Sequence, residues 1–129
     1  MKKPTLLLII VSLFIACSAS SSLAEIDGNM LLENCNEAAR YLGNKNNLPV
    51  NFSSVNLCVG YISGVNDLHT TFVGSVACFD PPVFCSPRPA HLEQLVKIVV
   101  NYLKKHPEDL HFQGSVLTVA ALKDAFPCP

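Results

Sequence analysis

Apolar positions recur at spacings of three and four in four stretches of the chain, the pattern of helices that bury one face. In "DGNMLLENCNEAARYLG" the stripe is Leu31, Cys35, Ala38 and Leu42. Asp27 can cap that helix, and Gly43 suits its end. In "SSVNLCVGYISGVNDLHTTF" the expected stripe is Cys58, Ile62, Val65, Leu68 and Phe72, with Ser53 or Ser54 as the cap. "HLEQLVKIVVNYLKK" turns Leu92, Leu95, Val96, Val99 and Leu103 inward, carries cations in its last turn and is stopped by Pro107. "SVLTVAALKDAF" is expected to start at a Ser115 cap after Gly114 and to end before Pro127. No stretch sustains period-two alternation with hairpin turns, and there is no internal repeat. The pattern predicts an all-α, four-helix domain.

Between the second and third helices lies "VGSVACFDPPVFCSPRPA", where four prolines rule out a continuous helix. One reading is a connector pinned by a disulfide. The other is a binding loop, because proline and a disulfide lower the ordering cost of presenting side chains. Phe79, Pro82, Val83 and Phe84 are its candidate apolar anchors.

The amino terminus changes the expected compartment. "MKK", the apolar run "TLLLIIVSLFIA" and the small-residue exit "CSASSSLAE" are the parts of a secretory signal peptide. The run falls short of the ~20 apolar residues needed to span a bilayer. Cleavage is expected after Ala24, with Ser22 and Ala24 read by the peptidase, leaving one domain over residues 25–129. The rival is a lipoprotein signal with Cys17 as the lipidated residue, for which Phe14 is an awkward neighbour. Cleavage removes two lysines, so seven Lys and Arg residues face ten acids. A mildly acidic chain without a basic run is a poor nucleic-acid binder.

Secretion also decides how the cysteines are read. Cys35, Cys58, Cys78, Cys85 and Cys128 survive cleavage, and in an oxidising compartment they are disulfide halves first. Five cysteines allow at most two intramolecular bridges and leave one over. Closing loops of 20 to 40 residues stabilises a domain this small by roughly 3–4 kcal/mol per bridge.

The stretch "CVGYISGVNDLH" holds the parts of a thiol nucleophile with base and orienting acid. On a helix, however, Cys58 and His69 are three turns apart, roughly 16 Å along the axis. Asp67 and His69 point to different sides. A catalytic triad within the stretch fails on geometry. Gly60 and Gly64 share one face, and each costs about 1 kcal/mol in helix propensity relative to alanine. They predict close approach of a neighbouring helix or a partner subunit. His91, His106 and His111 show no ligand spacing with one another or with a carboxylate pair, and no phosphate-cradling loop or nucleophile elbow is present. No metal or cofactor is therefore expected, and the chain reads as a binding protein rather than an enzyme.

The segments "GNMLLENC", "CVGYISGVNDLH", "FCSP", "QLVKIVVNYLKKHPEDLHF" and "LKDAFPC" fall in an order that resembles the Rap/Tai family of type VI secretion immunity proteins. The resemblance spans Gly28 to Cys128. It implies a small helical, disulfide-bonded periplasmic protein that forms a homodimer and performs no chemistry. Its implied partner is a cognate toxin, a papain-like peptidoglycan amidase, inhibited when a protruding loop covers the catalytic cysteine. Two disulfides are implied by the same likeness, Cys35–Cys58 and Cys85–Cys128. The effector-binding set it points to is Phe79, Asp80, Pro82, Val83, Phe84, Ser86 and Arg88. Cys78 departs from the family pattern and stands as a free thiol or an intermolecular bridge. The alternative reading is a small periplasmic chaperone of the acid-stress type, also helical and disulfide-stapled.

Overall fold

The computed structural model describes residues 25–44, 49–75 and 81–129. The expected signal peptide with Cys17, the unpaired Cys78 of the expected bridge pattern, and Phe79 and Asp80 lie outside these residues. Four helices make up the described chain: α1 (Gly28–Gly43), α2 (Phe52–Ser75), α3 (Leu92–Lys105) and α4 (Gly114–Ala125), with a 3-10 turn at Pro107–Asp109. The class is all-α, as the periodicity predicts.

Local signals explain most boundaries. The Met30 N–H donates to the Asp27 carboxylate at 2.8 Å, the expected cap of α1. α1 ends at Gly43, but through an extended Asn44 rather than a left-handed glycine. α2 starts just before the serines: Asn51 Oδ1 accepts from the backbone N–H groups of Ser53 and Ser54 at 3.0 and 3.5 Å. Asn51 thus holds the capping place expected of Ser53 or Ser54. α4 likewise begins at Gly114 with Gln113 as the flanking residue, so Ser115 sits inside the helix and does not cap it.

α1 packs chiefly on α2 and α3, and α4 closes on α3. The core is built from Leu31, Cys35 and Ala38 of α1, Val55, Cys58 and Ile62 of α2, Leu95, Val96, Val99, Val100 and Leu103 of α3, and Leu117, Ala121 and Leu122 of α4. Thr118 is buried among them because its hydroxyl donates to the Gly114 carbonyl at 2.7 Å. Both expected disulfides are present. Cys35–Cys58 joins α1 to α2 in the core, and Cys85–Cys128 joins the proline-rich segment to the carboxyl terminus.

One part of the expected α2 stripe is wrong. Leu68 is 58% exposed, whereas His69 is buried. The helical period carried on from Cys58 and Ile62 reaches 69 rather than 68. Leu68 is apolar but lies off the buried register of α2.

The start of α1 and the start of α4 are tied together. Gly28 N–H donates to the Phe112 carbonyl at 3.0 Å, and Gly114 N–H donates to the Ile26 carbonyl at 2.8 Å. A Cβ on Gly28 would lie 2.8 Å from the Leu110 backbone and 2.5 Å from Leu117 Cδ1. The close approach needs glycine there. At Gly60 and Gly64 a Cβ would meet nothing within 4 Å, and both residues are exposed. Among the described residues no helix makes the close approach expected at this pair. No helix among the described residues is long and apolar enough to cross a membrane.

Candidate functional site

α2 has 24 residues against 16 in α1. The two run antiparallel, with Tyr41 of α1 against Phe52 of α2 and Cys35 bridged to Cys58. At 1.5 Å per residue, the longer helix outruns its neighbour by about two turns. The segment from Pro82 to Ser86 lies against this carboxyl-terminal half of α2.

Three contacts hold the segment there. The Phe84 ring is buried and stacks on the His69 imidazole, with centroids 3.7 Å apart and planes inclined by 16°. Ser86 Oγ donates to Asn66 Oδ1 at 3.4 Å. The Cys85 N–H donates to the Phe126 carbonyl at 2.8 Å beside the Cys85–Cys128 bridge. Cys128 Sγ also lies 3.6 Å from the Pro82 carbonyl; a bridged sulfur carries no proton, so this is packing rather than a hydrogen bond. Arg88 and Pro89 are joined by a cis peptide bond, which then leads into α3.

Between α2 and this segment is a cleft of about 210 Å³, with His69, Thr70 and Val73 on one wall and Pro82, Phe84 and Arg88 on the other. Burial pushes the His69 imidazole below its ordinary pKa, which favours the neutral ring against the phenyl face. The Thr70 hydroxyl donates back to the helix, to the carbonyls of Asn66 or Asp67.

The expected effector-binding residues therefore separate. Arg88 is exposed, while Pro82, Val83 and Ser86 are half-buried. Phe84 is 1% exposed and is no protruding anchor. It is the strut that fixes the segment to α2, because its ring finds a flat aromatic partner in His69. The residues missed by sequence reasoning are His69, Thr70 and Val73. Their signal was the uninterrupted helical register of α2 past Asp67.

Cys58 gives no support to catalytic chemistry. It is fully buried and disulfide-bonded, so it offers no thiolate. One histidine does meet a carboxylate pair, correcting the sequence expectation: ligand atoms of His106, Glu108 and Asp109 lie within 4.8 Å of one another. The Pro107–Asp109 turn brings them round. His106 Nδ1 already pairs with Glu108 Oε1 at 3.5 Å, and Glu108 is exposed. Solvated acids beside a helix end account for this group without a metal ion.

No curated protein and no solved structure matches the chain. Its sequence does match a family described as Rap1a immunity proteins, over residues 27–128.

Proposed function

The chain belongs to the Rap1a immunity protein family, and from that premise we propose that it guards the periplasm against a peptidoglycan amidase delivered by type VI secretion. Family membership carries the immunity role itself. The finer reading is a secreted homodimer, released by cleavage after Ala24, whose proline-rich loop enters the amidase cleft and covers its catalytic cysteine.

The observation that supports loop occlusion is the way the described part of the loop is braced. Phe84 and the Cys85–Cys128 bridge anchor residues 82–86 to α2 and to the chain end. A loop tethered at its base presents its side chains with little ordering cost. Phe79, Asp80, Pro82, Val83, Ser86 and Arg88 are the proposed contact residues. Gly60 and Gly64, which no other described residue approaches, are the proposed place where the second subunit comes close.

The test is replacement of residues 79–83 by glycine and serine, leaving Phe84 in place. The expected result is loss of protection and of amidase binding with an unchanged thermal melt. Retained protection would overturn occlusion by this loop. Suppression of aggregation of many unrelated clients in acid, without inhibition of one amidase, would instead favour the chaperone reading.

A further inference from the structure

Immunity by loop insertion makes this protein the part that enters its partner. The cleft beside the loop has the reverse shape. It is lined by Val73, Pro82, Arg88 and the buried pair His69 and Phe84. Its volume of about 210 Å³ lies below the ~300–1,000 Å³ of sites that hold a whole small molecule or cofactor. One side chain is the occupant of the right scale. Val73 is 43% exposed, so apolar surface here faces water until something covers it.

Charge narrows the occupant further. Among the described lining residues Arg88 is the one with a permanent charge, and it forms no ion pair among the described residues. Burial disfavours the charged form of His69, and the described lining residues include no acid and no second permanent cation beside Arg88. Both hydroxyls of the cleft, on Thr70 and Ser86, donate to atoms of α2. They leave the guanidinium as the polar group that selects a ligand.

We propose that this cleft is a receptor for one apolar side chain of the cognate effector, carried next to an Asp or Glu whose carboxylate pairs with Arg88. The identity of the partner rests on the immunity reading; the chemistry of the occupant rests on the cleft. Binding is then reciprocal, the loop entering the effector while a segment of the effector enters the base of the loop. A docking knob of this kind supplies specificity, because an effector lacking the acid or the apolar residue leaves Arg88 or Val73 unmatched.

The test uses a phage-displayed random heptapeptide library panned on the full mature protein. The expected enrichment is for a large apolar residue adjacent to Asp or Glu, lost when the bait is Val73→Glu or Arg88→Glu. Both positions are exposed, so these variants should melt like the parent. For an enriched peptide carrying a fluorophore, Arg88→Glu should weaken binding about tenfold, equivalent to about 1.4 kcal/mol. Absence of enrichment, a consensus without the acid, or equal binding to Val73→Glu would overturn the proposal. Enrichment seen only with a Phe79→Ser bait would mean that the chain's own loop fills the cleft, and would also overturn it. Loss of dimer in Val73→Glu would make the cleft a contact between copies of this chain, which equally overturns an effector receptor. Failure here with protection intact removes the cleft and leaves the immunity reading standing. An enriched consensus in a protein that protects against no amidase does the reverse.

Discussion

The His69 imidazole lies face to face with the Phe84 ring, one from a helix and one from the proline-rich segment. Because the imidazole is buried, its pKa is lowered from 6.5, and folding favours the neutral form. The sign follows from linkage. The unfolded chain takes up a proton near 6.5 while the folded chain does so only at lower pH, so this contribution is whole above 6.5 and is lost as pH falls through it. Urea melts should show stability declining from neutral pH to about 5, with a flatter slope in His69→Phe, which binds no proton there. Equal slopes in the two proteins would move the dependence to another group.

Glycines give a sharp contrast. Gly28→Ala should destabilise by about 1–3 kcal/mol, because the new methyl meets the Leu110 backbone and the Leu117 side chain. Gly60→Ala and Gly64→Ala meet no atom of the described residues within 4 Å and should each raise the stability of the single chain by up to about 1 kcal/mol. If a second subunit packs at this face, the same two changes should weaken the dimer in sedimentation equilibrium while raising monomer stability. A dimer of unchanged strength would place the contact elsewhere.

Helix capping separates Asn51 from the serines. Asn51→Ala removes the acceptor for two amides of α2 and should cost about 1 kcal/mol. Ser53→Ala and Ser115→Ala should stay within about 0.5 kcal/mol of the parent, since neither residue caps its helix. Chemical denaturation midpoints decide between them.

The two disulfides differ in access. Cys35 and Cys58 have no exposed surface, whereas Cys85 is exposed and Cys128 half-buried. Under native conditions a thiol reductant should open Cys85–Cys128 first and leave Cys35–Cys58 closed until the domain unfolds. Stepwise alkylation followed by peptide mapping reads the order. Simultaneous opening would show that the core bridge is reached through global unfolding at the same rate.

Helix number and most of each apolar stripe were legible because a 3.6-residue period leaves a direct trace in the order of residues. The α1 stripe and the Asp27 cap are examples. The Asn51 cap was less legible, since a nearby serine offers the same side-chain chemistry and only backbone geometry chooses, and Gln113 precedes α4 without any side-chain cap bond. The cleft was hidden for a different reason. It needs Val73 and Arg88 together, and nothing local to either residue states that Phe84 folds back onto His69. The disulfide pairing came through likeness to a family, and the structure has the same pairs.

The bridges also divide the molecule. Cys35–Cys58 closes a covalent circuit over the first pair of helices, and Cys85–Cys128 closes another that contains α3 and α4. Neither bridge crosses between the circuits. A single cut between His69 and Phe84 therefore yields two separately cross-linked halves joined only by non-covalent contacts, among them α1 against α3, the backbone bonds between the starts of α1 and α4, and His69 against Phe84, so that halves can exchange with those of another copy.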